Sequence, residues 1–245
     1  MRKHASHRRA SPQTMSRLAE CRKQLRACGA SAFLVANFRD YYYLTGYSGE
    51  DSAALITARD VHILTAARFL EEIKQEVPWA KVRLRKGFLQ DEFVLACADL
   101  KIKTLAIQPG YLTVGEHAEL KKKARGVRLI LAPPIVGNLR KFKDESEVAL
   151  MRRAIRVAED AFVAMRKSLR VGQTEIQIAA RLEYEMRTRG ALMPAFPTIC
   201  AEGPNAAAPH AKPGLRKLKR GSALLVDWGA RVNHYCSDLT RMLFV

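Results

Sequence analysis

The sequence predicts an α/β domain, followed by a second domain that opens on two helices and closes on paired strands. Three observations carry this reading. Strand and helix patterns alternate through residues 17–131. A cluster of turn chemistry, Ala132-Pro-Pro-Ile-Val-Gly-Asn138, ends the alternation. Beyond it come two capped amphipathic segments, and then two short apolar runs joined by a polar turn within residues 221–245.

Residues 1–14 are basic, polar and free of acids, which predicts a mobile tail. From Met15 to Cys28, Leu18, Cys21, Leu25 and Cys28 recur at helical spacing, and Gly29 stops the helix. Ala32–Ala36 reads as a buried strand. Asp40 is expected to cap a turn holding Tyr41, Tyr42 and Tyr43, with the rings packed inside and the hydroxyls wet. Ala53–Thr57 and Val61–Thr65 read as a hairpin. Residues 69–77 and 91–100 read as helices, and residues 81–85, 104–108 and 127–131 as extended segments. Thr113-x-x-Glu116 is a capping box that opens another helix.

Residues 132–143 are expected to be a linker to a second domain over residues 144–245. There Asp144-x-x-Glu147 is a capping box, with acids in the first turn to suit the helix dipole. Val148, Met151, Ile155, Ala158, Phe162, Met165 and Leu169 predict one buried stripe, and Arg152, Arg153 and Arg156 its solvated side. Thr174-x-x-Gln177 caps a second helix with Ile178, Leu182 and Met186 on one face and Gly190 at its end. An extended segment bounded by Pro194 and Pro197 reaches Cys200. A loop rich in Gly, Pro and Asn follows, from Glu202 to Gly214, and carries His210.

The closing segment holds the candidate chemistry. One run, Ala223-Leu-Leu-Val226, ends at Asp227; the other begins near Tyr235 and carries Asp238. A hairpin centred between Val232 and Asn233 sets the two aspartates opposite each other, with Cβ atoms about 5 Å apart. Facing carboxylates between apolar strands repel, and a hard divalent cation turns that repulsion into a binding site. The argument depends on register, because a one-residue slip sends the carboxylates to opposite faces. The plain alternative makes Asp227 part of a strand-end turn, Ser237-Asp238 a surface pair, and His210 a surface loop residue. His234, in the turn, is expected to be exposed.

Composition narrows the class. With 245 residues, 48% hydrophobic and 27% charged, the chain can bury a core. It contains no apolar run of membrane-spanning length, and no apolar segment follows the basic start. The five cysteines are odd in number and form no C-x-x-C pair, so neither a disulfide framework nor a zinc knuckle is expected, and a reducing cytoplasm fits. A net charge of +18 invites a nucleic-acid reading. The basic residues are spread along the chain without a nucleic-acid motif, so specific nucleic-acid binding is not expected.

Asp227-Trp-Gly-Ala230, followed by Tyr235-Cys-Ser-Asp-Leu-Thr-Arg241, resembles the central motif of the pita-bread metallopeptidases. These are the Xaa-Pro aminopeptidases, prolidases and creatinase. Tyr43-Leu-Thr-Gly-Tyr-Ser-Gly49 is similar to their N-terminal domain, and Asn205 with His210-Ala-x-Pro213 to their substrate-binding loop. The resemblance implies an α/β N-terminal domain of the creatinase/prolidase type over residues 15–131, then the first part of an α+β pita-bread catalytic domain. It implies two divalent metal ions, with manganese expected and cobalt or zinc as alternatives. Asp227 would be a ligand of one ion and Asp238 would bridge both. His210 would be the catalytic and substrate-binding histidine, hydrogen-bonded near the scissile amide. The implied reaction is cleavage of an N-terminal Xaa-Pro bond by hydroxide activated between the metals, in a homodimer acting on proline-containing peptides.

In the family a histidine and two glutamates complete the ligand set, and they have no counterpart within these 245 residues. The resemblance therefore covers about the first two-thirds of a member, and the chain as given is expected to be truncated and inactive. Two other readings share the scaffold. One is a non-catalytic pita-bread domain that binds peptides or histone- and nucleic-acid-associated partners. The other is a creatinase-like amidinohydrolase. Retention of both aspartates and of the His210 loop favours the peptidase.

Overall fold

The computed structural model describes residues 9–245, and it divides into two compact units, 1–142 and 143–245. The first eight residues, part of the expected basic tail, lie outside the described residues.

The first unit begins with α1 (Pro12–Ala27). Ser11 caps it by accepting the Thr14 N–H, and Pro12 sits in the first turn, where a missing N–H costs nothing. Residues 12–14 are therefore helical, which shortens the expected tail. Cys28 is the C-cap and Gly29 follows at φ +71°, the left-handed position that favours glycine. Next come β1 (Ala32–Val35), α2 (Phe38–Thr45), β2 (Ala53–Thr57), β3 (Val61–Thr65), α3 (Leu70–Glu76) and β4 (Lys81–Leu84). After these follow α4 (Leu89–Asp99), β5 (Thr104–Ile107), α5 (Val114–Lys123), β6 (Arg128–Leu131) and α6 (Ile135–Leu139). The strands form one six-stranded sheet in the order β4-β3-β2-β1-β5-β6. β1, β2 and β3 run antiparallel in succession, and the pairs β3–β4, β1–β5 and β5–β6 are parallel.

Period-two alternation divides the core between the two sheet faces. Phe33, Val35, Ala54, Ile56 and Ile63 join one cluster with α1, α2, α3 and α6. Ala32, Leu34, Leu55, Leu105 and Ile107 join the other with α4 and α5. This is the covered α/β sheet that the alternation predicts. The capping box at Thr113 and Glu116 is formed.

Three expectations are corrected here. Asn37, not Asp40, caps α2. Asp40 is buried and accepts hydrogen bonds from Gln108 Nε2 at 2.6 Å and Arg140 Nη1 at 2.8 Å. Tyr41 packs its ring inside as expected, but its hydroxyl is not wet, because it donates to the Gly49 carbonyl at 2.6 Å. The expected linker 132–143 is largely part of the first unit. Ile135 and Val136 of α6 are fully buried in its core, and Arg140 supplies the partner that buried Asp40 needs.

The second unit contains α7 (Glu145–Ser168), α8 (Glu175–Thr188), β7 (Met193–Pro194), β8 (Ile199–Glu202), β9 (Ala223–Trp228), β10 (Ala230–Val232), β11 (Tyr235–Cys236) and β12 (Leu239–Phe244). Capping boxes open both helices, at Asp144/Glu147 and Thr174/Gln177. The buried face of α7 is Ala154, Val157, Ala158, Ala161 and Met165. The expected stripe is therefore rotated, since Val148 and Ile155 are exposed. Small residues face inward because the helix lies close on β10 and β11, and Trp228 at the end of β9 reaches it with its side chain. Trp228 Nε1 donates to the Ala158 carbonyl at 2.9 Å, and the Trp228 ring stacks on Phe162 with centroids 4.5 Å apart. Arg152, Arg153 and Arg156 are exposed, as expected. On α8, Ile178, Leu182 and Met186 are buried as the spacing predicts.

The strands form two three-stranded sheets, β11-β10-β7 and β12-β9-β8. Along β9, Leu224, Val226 and Trp228 are buried beneath the helices, while Ala223, Leu225 and Asp227 alternate to a half-buried opposite face. β12 is an edge strand, and Met242 and Phe244 on it are exposed.

Candidate metal centre

Asp227 stands on β9, the middle strand of its sheet. It pairs with Ile199 on β8 and with Thr240 on β12. The hairpin register thus differs from the expected one. The turn is centred on Asn233 and His234, at φ +45° and +64°, with Val232 paired to Tyr235. A two-residue loop with both central residues at positive φ has the twist that a tight hairpin needs. Centring the turn there moves every partner by two positions along the hairpin. Asp227 faces Thr240, and Asp238 comes level with Gly229. His234 is half-buried rather than exposed.

The revised register keeps the carboxylates on one side. By alternation, Asp238 falls on the side of Thr240 and hence of Asp227, as its diagonal neighbour, at about 7 Å between Cβ atoms for regular strands. The strands are not regular at that point. The ladder breaks between β9 and β10 and between β11 and β12. Ser237 spans the break: its N–H donates to the Ala230 carbonyl at 2.9 Å, and its Oγ accepts the Ala230 N–H at 2.9 Å. A Cβ on Gly229 would lie 2.0 Å from the Ser237 carbonyl oxygen, so the approach requires glycine. Ser237 is buried and Asp238 exposed, so the two are not a surface pair. Tyr235, at the start of the second strand, donates its hydroxyl to Glu147 Oε1 at 2.8 Å and ties β11 to α7.

The surroundings of Asp227 suit a cation. Its Oδ1 is buried and, among the described residues, has no hydrogen-bond partner. An orphaned carboxylate oxygen is costly, and a bound cation relieves that cost. Among the described residues, no group of three or more His, Cys, Asp and Glu side chains is gathered for a metal. The two carboxylates are the side chains here that could hold part of a metal's coordination shell.

His210 is exposed on the loop that leaves β8, the strand paired with β9. Among the described residues it makes no hydrogen bond to either aspartate. The sequence reading passed over three residues here. Gly229 and Ser237 shape the break beside Asp238. Glu175 is 1% exposed and accepts hydrogen bonds from Glu202 N–H, Asn205 Nδ2 and Gly214 N–H, on both sides of His210. Its position in a helical first turn predicts only a dipole-favourable acid.

Comparison with known proteins gives the family. Residues 17–142 match the Creatinase/Prolidase N-terminal domain, and residues 149–245 match Metallopeptidase family M24. The Xaa-Pro dipeptidase of Pyrococcus horikoshii is 32% identical over 215 residues, 87% of this chain and 60% of that protein. An Xaa-Pro dipeptidase structure from Bacillus anthracis superposes with a TM-score of 0.87 at 26% identity, over 95% of this chain and 65% of that one. An X-Pro aminopeptidase structure from Thermotoga maritima gives 0.83 at 33% identity, over 91% and 65%. The chain spans about three-fifths of the length of the curated relatives it matches. It belongs to the pita-bread metallopeptidases of family M24, among the members that carry a creatinase/prolidase N-terminal domain.

Proposed function

We propose that this chain carries the first two ligands of a dinuclear metal centre in a peptidase that hydrolyses N-terminal Xaa-Pro bonds. The observation that carries this is the same-side pair Asp227 and Asp238, with Asp227 Oδ1 buried and unpartnered. Asp227 would bind one divalent ion through that oxygen, and Asp238 would reach both ions from the break in the ladder. Divalent ions held there supply Lewis acidity toward a carbonyl and acidify bound water. The protein's share is to fix the carboxylates on a sheet whose other face is packed against helices. His210 can donate from one ring nitrogen and accept at the other, so it suits a substrate amide whose charge develops during attack. Manganese is the favoured ion, and a homodimer in the cytoplasm belongs to the same reading. Among the described residues, no helix is long and apolar enough to cross a membrane.

Two carboxylates bring a charge of −2 against +4 and leave most coordination positions to water, so the 245-residue chain should hydrolyse peptides weakly or not at all. Calorimetric titration with Mn²⁺ tests the site. Asp227→Asn and Asp238→Asn should each weaken binding about tenfold or more, and unaltered affinity in both would sink the proposal. Robust Mn²⁺-dependent cleavage of an Xaa-Pro dipeptide by this chain would overturn the expected inactivity.

A further inference from the structure

Among the described residues, the buried Glu175 carboxylate accepts three hydrogen bonds, all from the end of β8 and the loop that follows it. Oε1 accepts from the Glu202 N–H at 2.8 Å and from Asn205 Nδ2 at 2.9 Å, and Oε2 accepts from the Gly214 N–H at 2.9 Å. Two of these donors precede His210 in the chain and one follows it. The start of α8 meets the loop exit through its backbone as well. Glu175 N–H donates to the Arg216 carbonyl at 3.0 Å and Ile176 N–H to the Gly214 carbonyl at 3.1 Å, and Thr174 pairs with Lys217. Between those anchors the loop's own bonds are local, Ala208 N–H to Asn205 and Ala211 N–H to Ala208. Local bonds shape a loop but do not fix it to the sheet.

We propose that Glu175 is a positioning residue that clamps both ends of the 203–214 loop and so sets where His210 stands relative to the Asp227 strand. That His210 serves catalysis rests on the function proposed above; the clamp itself does not. Three converging donors call for a group that only accepts, and a carboxylate is one. Glutamine in the same place would turn an amide NH₂ toward at least one of the donors. An acid needed only for the helix dipole would be exposed, and its loss would matter little.

Hydrogen exchange on the full 245-residue chain tests the clamp. In Glu175→Gln, amides of residues 203–214 should exchange about tenfold faster, with α7 and β9 unchanged. Unaltered loop protection, or a uniform loss across residues 143–245, would overturn the proposal. Should that variant fail to fold, Asn205→Ala removes a single donor and should speed loop exchange two- to threefold, and no change would count against the clamp. Relaxation of the His210 ring protons by saturating Mn²⁺ gives a second readout. It should fall at least twofold in Glu175→Gln at unchanged Mn²⁺ affinity, and equal relaxation in both proteins overturns the positioning. If Mn²⁺ relaxes no ring protons in the parent chain, the metal-site reading fails, and hydrogen exchange alone decides the clamp.

Discussion

Asp227 faces Thr240 across the β9–β12 pair, and Asp238 lies two residues nearer the turn, level with Gly229. The two carboxylates are thus diagonal neighbours rather than an opposed pair. A diagonal leaves about 2 Å more between the side chains. That lowers the repulsion between them.

The break in the ladder beside Asp238 should be intolerant of any added atom. In Gly229→Ala, the new Cβ would sit 2.0 Å from the Ser237 carbonyl oxygen, with Ala195 and Phe196 each at 3.0 Å. Overpacking of this kind costs about 3 kcal/mol. Ser237→Ala, which orphans the buried Ala230 N–H, should cost about 2 kcal/mol. Urea unfolding followed by the fluorescence of buried Trp228 measures both. Wild-type midpoints would mean that the strands do not meet so closely.

Thiol chemistry should sort the five cysteines by burial. Burial pushes the thiols of Cys21 and Cys200 up to about 12 and that of Cys97 up to about 11, so none forms a thiolate near neutral pH. Cys236 is exposed and Cys28 half-buried. Titration with a chromogenic disulfide at pH 8 should show one fast thiol and one slower one. The other three should react only when guanidinium unfolds the chain. Five fast thiols would contradict the packing.

His62 should make the first unit sensitive to mild acid. It lies on β3 between Leu55 and Lys81, with Nε2 unpartnered. Burial holds its pKa below the ordinary 6.5, and the nearby Lys81 and Arg83 push the same way, against Asp60. The unfolded chain then binds more protons than the folded one just below pH 6.5, so stability is full above that value and falls as pH drops through the folded pKa. Asp60, held low by its bond to Lys81, titrates further down, from the ordinary 3.8. His62→Leu should flatten the decline that begins near pH 6.5 in thermal melts of the chain. An unchanged slope would assign the effect elsewhere.

Much of the fold was readable because the relevant signals are local. The hairpin 53–57 and 61–65 has the predicted bounds, and the capping boxes at Thr113, Asp144 and Thr174 all form. The departures arise where a partner distant in sequence, or a backbone conformation unusual for the residue, decides. The stripe on α7 is rotated because Ala154, Val157 and Ala161, outside the expected spacing, join Ala158 and Met165 in the core shared with the strands. Ile135 and Val136 read as linker because only the sheet they cover shows that they are core. The hairpin centre was misplaced because Asn233 and His234 both take positive φ, which is unusual for a histidine.

The sequence by itself determined the family, the two-part architecture and the identity of Asp227, Asp238 and His210 as the residues to examine, because motif and periodicity are properties of the chain order. Only the tertiary structure decided how those residues stand. It made the aspartates diagonal, left Asp227 Oδ1 without a partner, and revealed Glu175 gripping the loop on both sides of His210. Each of these depends on contacts made across the fold. A buried carboxylate declares its purpose by the donors that surround it, and those donors lie 27 to 39 residues further along the chain.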